Sequence, residues 1–332
     1  MKRIVTADIH ISKSLIDAYR TVFLKETLPA LVDKYKPDQL LVLGDITQDK
    51  DMHPASLVNE VVEGFHKLAS LCHVIILQGN HDYSSIDYPF FKFLDCIDNI
   101  RWISSPTELD GCLYLPHTRD HKKDWQGLQF EDRDYIFAHN TFTGARANGQ
   151  TLAGITTTIF PDDAFVLSGD IHEPQTLGPV TYIGSPYAVN FGDDFQPRML
   201  LLDDLEVKSI KLYGRSKKLI SWDWSKDSDK LCDGWEAYNP GIEGDIVKIQ
   251  VYIGMEHVAK WPEIRQQVEA WAVSNKFVIH TITPVVTYEA GERQKHIKSV
   301  RRSDSQYVEA FVKRSGVDAD TAKVGKSIAD MI

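Results

Sequence analysis

The chain has 332 residues, of which 43% are hydrophobic and 25% charged, as in folded globular proteins rather than disordered or fibrous ones. Its formal net charge of −10 argues against nucleic-acid binding through an overall positive potential, but it leaves local basic patches open. The four cysteines lack Cys-x-x-Cys spacing, so neither a disulfide framework nor a thiolate metal site is predicted. No segment resembles a signal peptide or a membrane span, so a cytoplasmic location is expected.

The first predicted strand ends at residues that can bind a metal ion. Residues 3–7 are strand-like and lead into Asp8-Ile9-His10. Because residues two apart in an extended segment project to the same side, Asp8 and His10 can face one ion. The apolar spacing of residues 14–36 then predicts a helix.

The next two strands end in the same way. Residues 39–43 form an apolar run that stops at Gly44-Asp45, where glycine permits a sharp turn. A helix is predicted over residues 55–71, followed by the apolar run 74–77 and the sequence Gly-Asn-His-Asp at positions 79–82. Ligands in open α/β sheets bind beyond the carboxyl ends of strands, so this is where chemistry is expected.

Two later strands continue the pattern. Residues 134–138 are strand-like and stop at His139, and residues 164–168 stop just before Asp170 and His172. Strands packed side by side would gather such ends along one edge of a sheet. We therefore expect one site there, formed by these strand-end residues: Asp8, His10, Asp45, Asn80, His81, His139, Asp170 and His172.

The predicted residue types suit two divalent cations bridged by a carboxylate. Two-metal sites clamp the attacking and leaving oxygens in phosphoryl displacement, and the ions offset the negative charge of a phosphodiester. Carboxylate, amide and imidazole ligands without thiolate favour Mn²⁺, with Mg²⁺, Zn²⁺ or Fe²⁺ as alternatives.

The motifs follow one another in a fixed order: Asp8-x-His10, Gly44-Asp45, Gly79-Asn80-His81-Asp82, His139, Gly169-x-x-His172 and Ile183-Gly184-Ser185-Pro186. This series resembles the calcineurin-like metallophosphoesterase superfamily, and within it the SbcD branch of double-strand-break-repair nucleases; a bacteriophage version is compatible with the divergent motifs. The resemblance implies a four-layer α/β sandwich over residues 1–205. It also implies a small α/β capping domain over residues 206–290 and a helical tail.

The resemblance assigns roles to individual positions. His81 matches the family's catalytic histidine, which protonates the leaving oxygen or stabilises the transition state. Asp82 is placed to orient that imidazole, as carboxylates commonly do. Asp170 stands where the family usually has histidine, so it is either a harder ligand or the mark of a weakened second site. The implied ligands are Asp8, His10 and His172 for one metal, Asn80, His139 and Asp170 for the other, and Asp45 for both.

The remainder of the chain is expected to serve partners. The best basic candidates for DNA phosphate contact are Lys211, Arg215, Lys217 and Lys218. Residues 291–332 read as a basic linker followed by short amphipathic helices. In the family such a segment docks on the coiled coil of an SbcC-type ATPase; the alternative is a tail packed on its own protein. Family members usually form homodimers, and no membrane partner is expected.

The sequence therefore predicts a Mn²⁺-dependent DNA exonuclease and endonuclease, the nuclease subunit of an SbcCD-like complex in the cytoplasm, or in the host cytoplasm for a phage protein. One alternative is another phosphatase or phosphodiesterase of the same fold. Protein phosphatases of this superfamily carry Asp-Arg-Gly and Gly-Asn-His-Glu, whereas this chain has Asp-Ile-Thr at 45–47 and Gly-Asn-His-Asp at 79–82. The other alternative is a structural subunit with an inactive site.

Overall fold

A computed structural model of the chain describes residues 1–204, 206–224 and 244–287. The predicted ATPase-binding segment, residues 291–332, lies outside the described residues. No helix in the described part of the chain is long and apolar enough to cross a membrane.

The strands of the described residues, in chain order, are β1 Lys2–Thr6, β2 Gln39–Leu43, β3 His73–Leu77, β4 Ile100–Ile103, β5 Thr107–Leu109, β6 Cys112–Leu115, β7 Ile136–His139, β8 Arg146–Ala147, β9 Gln150–Thr151, β10 Val166–Gly169, β11 Gln175–Leu177, β12 Val180–Tyr182, β13 Arg198–Asp203, β14 Glu206–Lys211, β15 Lys217–Asp223, β16 Ile246–Gly254 and β17 Val278–Thr287. The α-helices are α1 Ala18–Val22, α2 Leu28–Tyr35, α3 Ala55–Ala69, α4 His121–Asp124 and α5 Trp261–Ser274. Short 3₁₀ segments cover Leu15–Asp17, Phe90–Cys96, Thr157–Ile159 and Met255–Lys260.

Two six-stranded sheets form the larger part of the fold. The first has the order β14-β13-β1-β2-β3-β4, in which β1 to β4 run parallel and β13 and β14 are antiparallel additions. The second has the order β11-β12-β10-β7-β6-β5, with a parallel centre and antiparallel edges. The predicted α/β fold class is confirmed.

The period-two alternation of side chains along a strand explains why two sheets pack together. In β2, Leu40 and Val42 face the core under helices α2 and α3, whereas Leu41 and Leu43 face the core shared with the second sheet. Both faces of these strands are therefore covered, which is why β2 reads as a continuous apolar run. Phe137 of β7 joins the shared core from the other side.

The predicted helix over residues 14–36 is continuous but not uniformly α-helical. A π-helical turn, Phe23–Thr27, lies between α1 and α2. The helix ends at Tyr35, and the next residue, Lys36, adopts a left-handed conformation with φ of 48° and precedes Pro37. The proline ring disfavours the α conformation at the residue before it, so the helix does not continue.

The chain divides into two compact units. Of the described residues, the first contains 1–204, 206–220, 244–249 and 267–282, and the second contains 221–224, 250–266 and 283–287. Strands β15, β16 and β17 form a three-stranded sheet with β16 in the centre. The predicted boundaries at residues 205 and 290 stay predictions.

Candidate metal centre

The polar strand ends meet at one place, but they come from both sheets. Strands β1, β2 and β3 belong to the first sheet, and β7 and β10 belong to the second. The expectation of a single sheet edge was therefore wrong. Because the sheets share a packed core, their carboxyl ends face each other, and three ligand atoms from Asp8, Asp45 and His139 lie within 4.8 Å of one another.

One group of potential ligands consists of Asp8, His10 and His172, whose ligand atoms also lie within 4.8 Å of one another. The Nε2 atoms of His10 and His172 are 3.1 Å apart. Asp8 and His10 are buried at the end of β1, and His172 follows β10. Two imidazoles converging beside a buried carboxylate are a suitable set for a divalent cation.

Asp45 lies between this group and a second one. Its Oδ2 is 3.5 Å from His10 Nε2, while its Oδ1 is 3.3 Å from His139 Nε2. The second group continues with Asn80, whose Oδ1 is 3.3 Å from His139 Nε2. Asp170 Oδ1 is 4.0 Å from the same nitrogen. Each oxygen of Asp45 thus faces a different group of ligands.

A backbone contact fixes the orientation of His139. Its Nδ1 lies 2.6 Å from the carbonyl oxygen of Leu43, to which an Nδ1–H donates. In the neutral ring, Nε2 then carries the lone pair and faces Asp45 and Asn80. This is the usual way in which a metal-binding histidine is held in one tautomer.

Several site residues hold unusual backbone conformations. Asp8, His10, Asp45 and Asp170 have positive φ angles of 54°, 47°, 57° and 82°. Side chains other than glycine rarely adopt this region, and such strain concentrates at functional sites. The turns after β1, β2 and β10 therefore use strained backbone to direct polar side chains inward.

The buried charges of the site call for a cation. Burial raises the pKa of Asp8 well above its usual value, and His139 partly opposes this; the neighbouring Asp45 and Asp170 raise it further. Burial also acts to raise the pKa of Asp45, but His139 and the other imidazoles hold it well below its ordinary value. Asp8 Oδ2 is buried without a hydrogen-bond partner. Unpaired buried carboxylate oxygens are costly, so these residues fit a divalent metal.

Imidazole chemistry at the site is consistent with this view. Burial lowers the pKa of His10 well below its usual value and also lowers that of His172, which favours the neutral form of the ring, the form that ligates a metal. His139 behaves differently. Burial lowers its pKa, but the carboxylates of Asp45, Asp8 and Asp170 together raise it well above the usual value.

His81 is partly exposed, and one of its ring nitrogens forms a further group of potential ligand atoms with His10 and Asp45, all within 4.8 Å of one another. Its Nδ1 is 2.7 Å from the carbonyl oxygen of Gln48, and its backbone N–H donates to Asp45 Oδ1 at 2.8 Å. Its ring centroid is 4.9 Å from that of His10. Because an Nδ1–H donates to Gln48, Nε2 is left for other chemistry.

Asp82 does not orient His81, so that prediction was wrong. Its carboxylate accepts backbone N–H groups from Asp45 and Ile46, both at 2.9 Å, and from Gly79 at 2.7 Å. Burial and then the charge of Asp45 raise its pKa to about 6. Asp82 therefore ties the turn after β3 to the turn after β2, and the Gln48 carbonyl holds the imidazole.

One carboxylate oxygen of Asp170 is hydrogen-bonded to a residue outside the ligand groups. Its Oδ2 accepts a hydrogen bond from the Thr141 hydroxyl, and its backbone N–H donates to Asp8 Oδ1 at 3.0 Å. Its Oδ1 remains on the side of His139. Its role as a ligand stays a prediction.

The predicted basic contacts divide into two kinds. Lys217 is 7% exposed, and its Nζ lies 2.8 Å from Asp17 Oδ1, so the expectation of a free phosphate contact was wrong for this residue. Lys218 forms an ion pair with the buried Asp245 at 2.9 Å. Lys211 and Arg215 are exposed and stay candidates.

Sequence reasoning missed residues that support the site. Asn190 Nδ2 is 3.1 Å from His172 Nδ1, and the Tyr83 hydroxyl is 2.6 Å from His117 Nδ1. The His117 ring lies 6.3 Å from that of His139. None of these residues directly follows an apolar strand, which is the sequence pattern by which the candidate ligands were found.

A family model matches the part of the chain that carries this geometry. Residues 1–210 match the family model described as calcineurin-like phosphoesterase. Comparison with curated protein sequences gives no match. Among solved structures, the chain is similar to the nuclease MPE of Pseudomonas putida, with 17% identity, coverage of 63% of this chain and 87% of that chain, and a TM-score of 0.35. It is also similar to a protein assigned by inference as a diadenosine tetraphosphatase, with 11% identity, coverage of 64% and 94%, and a TM-score of 0.30.

These two structural similarities are too low to bear on function. The family model spans more than half of the chain, and the family consists of metal-dependent phosphoesterases that bind divalent ions. This chain belongs to the calcineurin-like phosphoesterase family.

Proposed function

We propose that the protein is a Mn²⁺-dependent phosphodiesterase that cleaves DNA, as the nuclease subunit of an SbcCD-like complex. The observation that carries the two-metal part of this proposal is the position of Asp45. Its two oxygens face His10 and His139, which belong to different ligand groups. One carboxylate shared between two ions would hold them close together, as suits two-metal displacement at a phosphodiester.

The residues divide between two ion positions. Asp8, His10 and His172 would hold one ion, Asn80 and His139 with Asp170 would hold the other, and Asp45 would touch both. The bound ions would neutralise the phosphodiester and lower the pKa of the attacking water. Oxygen and imidazole ligands without thiolate favour Mn²⁺.

His81 supplies the proton chemistry. The Gln48 carbonyl accepts the proton of Nδ1, so Nε2 can carry a second proton in the imidazolium form. The ring is partly exposed and its centroid is 4.9 Å from that of His10, which places it next to the residues that would hold the ions. It donates the Nε2 proton to the leaving oxygen, as a general acid.

The choice of DNA rests on sequence motifs and surface charge. The turn motifs resemble those of the SbcD branch and lack the Asp-Arg-Gly signature of protein phosphatases. Lys211 and Arg215 are exposed cations available for backbone phosphates. The competing activities, another phosphodiesterase or an inactive structural subunit, are outcomes of the test below.

The experiment is digestion of end-labelled duplex DNA with Mn²⁺ by the wild-type protein and by His81→Ala. We expect a loss of about 10²–10⁴-fold in kcat in the variant, with its metal content retained. Equal activity of both proteins would refute the role of His81. Hydrolysis of bis(p-nitrophenyl) phosphate without DNA cleavage would indicate a different phosphodiesterase. Failure to retain any divalent ion would favour a structural subunit.

Association with an SbcC-like ATPase is the second part of the proposal. The segment from residue 303 to residue 332, outside the described residues, supplies the contact. Deletion of residues 303–332 should abolish co-purification with the ATPase and leave Mn²⁺-dependent nuclease activity. Unchanged co-purification would refute this role. Sedimentation of the full chain tests the expected homodimer.

A further inference from the structure

The guanidinium of Arg119 is exposed, lies near the metal centre and packs on the ring of a buried tyrosine, Tyr83. Arg119 lies 5.3 Å above the ring centroid of Tyr83, which is 1% exposed. The Tyr83 hydroxyl lies 2.6 Å from His117 Nδ1, and the His117 ring is 6.3 Å from the ring of His139. Two side chains thus separate the cation from a metal-ligand position.

The loop that carries Arg119 is fixed to the site by its backbone. The N–H of His117 donates to the carbonyl of Gln78 at 2.9 Å, and the N–H of Thr118 donates to Asn140 Oδ1 at 3.1 Å. Gln78 follows β3, and Asn140 follows His139. The loop is therefore anchored to the ends of two strands that supply predicted ligands.

The nearest acidic residues in sequence do not neutralise Arg119. Asp124 Oδ2 accepts the Thr118 hydroxyl at 2.5 Å, and Asp120 Oδ1 accepts the backbone N–H of Lys123 at 3.3 Å. Within the described ranges, no carboxylate forms an ion pair with Arg119. An exposed guanidinium with an aromatic support and no carboxylate partner is suited to a phosphate, which it can hold with two parallel hydrogen bonds.

We propose that Arg119 binds a phosphate group of the DNA strand that flanks the phosphodiester at the metal centre. The inference rests on the proposed function. The chain has a net charge of −10, so attraction of a polyanion depends on such local cations. The Tyr83 ring holds the guanidinium in place before binding, which lowers the entropy lost when the phosphate is bound.

A surface arginine that only stacks on Tyr83 would have the same geometry, so the test must detect the flanking phosphate itself. The substrates are end-labelled oligonucleotides in which one linkage, on either side of the cleaved one, is a neutral methylphosphonate. The wild-type protein should lose about tenfold in kcat/KM with one of these substrates, because a charge-assisted hydrogen bond is lost. Arg119→Gln should show a similar loss on unmodified DNA and less than a twofold further loss with that methylphosphonate.

The matched control is Arg101→Gln, because Arg101 is exposed on the edge strand β4 and contacts none of the site residues named above. This variant should respond to the methylphosphonate as the wild type does. Arg119→Lys keeps the charge and loses the paired hydrogen bonds, so an intermediate loss is expected. Thermal unfolding and Mn²⁺ content of Arg119→Gln should match the wild type, which excludes misfolding as the cause.

Two results would overturn the inference while the nuclease function stands. One is a wild-type protein that cleaves DNA and is insensitive to both methylphosphonates. The other is an Arg119→Gln variant that keeps the full wild-type sensitivity. Failure of the wild type to cleave any of the oligonucleotides would instead refute the proposed nuclease, and the inference with it.

Discussion

Replacing Gly79 with alanine tests how the turn after β3 shapes the metal centre. A Cβ at this position would lie 2.3 Å from Asp45 Oδ1, 2.5 Å from Asp45 N and 2.9 Å from His139 Cε1. Ordinary contacts of a Cβ begin at 3.4 Å, so the Asp45 carboxylate must move by about 1 Å or more. The backbone of Gly79 itself has no positive φ, so the collision is the cause of the effect.

The size of the effect of Gly79→Ala on activity and stability follows from the displacement of the Asp45 carboxylate. A misplacement of about 1 Å at a reacting centre can cost about a hundredfold in rate, so we expect about that loss in kcat/KM on DNA. Overpacking should lower the free energy of unfolding by about 1–3 kcal/mol. Because Asp45 faces both ligand groups, affinity for Mn²⁺ should fall at both positions.

The assay combines Mn²⁺ titration calorimetry, urea unfolding and DNA cleavage. Gly214→Ala is the matched control, because a Cβ there meets nothing within 4 Å and φ is not positive. This control should bind Mn²⁺ and cleave DNA as the wild type does. A Gly79→Ala protein with wild-type Mn²⁺ affinity would refute the argument that Asp45 and its surroundings form the metal centre.

Three further predictions follow from buried charges. Addition of Mn²⁺ at a hundredfold its Kd should raise the free energy of unfolding by about 2.7 kcal/mol per site relative to EDTA-treated protein, and Asp8→Asn should reduce this gain in a thermal-shift assay. Lys217→Met removes one of the two cations that pair with Asp17 and leaves Arg20 at 3.4 Å, so urea unfolding should show a loss of about 1–3 kcal/mol, while the salt dependence of DNA binding stays that of the wild type. Burial lowers the pKa of His117 to about 4, below 6.5 in the unfolded chain, so stability from this residue is present above pH 6.5 and lost as the pH falls toward 4; His117→Gln should reduce this pH dependence by about 3 kcal/mol.

The site was readable from the sequence because its residues share one local signature. Each candidate ligand follows a short apolar strand, and the fold brings Asp8, Asp45 and His139 together. The division into two sheets was implied by the family resemblance but was not readable from the strand patterns themselves. Strands such as Cys112–Leu115 are only four residues long and fully buried, so they show no alternation that would identify a second sheet.

The errors concern contacts between residues far apart in the chain. Asp82 follows His81 directly, yet it accepts N–H groups from residues 36 and 37 positions away. Lys217 lies in a basic stretch, yet it is buried because Asp17, from a distant helical segment, supplies its partner. Sequence position indicates which side chains are near a turn, whereas only packing determines which groups they contact.

Equilibrium dialysis of Mn²⁺ against the wild-type protein, Asp45→Ala and His172→Ala tests the shared metal centre most directly. We expect two ions per chain in the wild type, weakened binding of both ions in Asp45→Ala, and loss of one ion in His172→Ala. Two results for Asp45→Ala would contradict a centre built around one shared carboxylate. One is binding of both ions with wild-type affinity, and the other is loss of a single ion while the affinity for the other ion is unchanged.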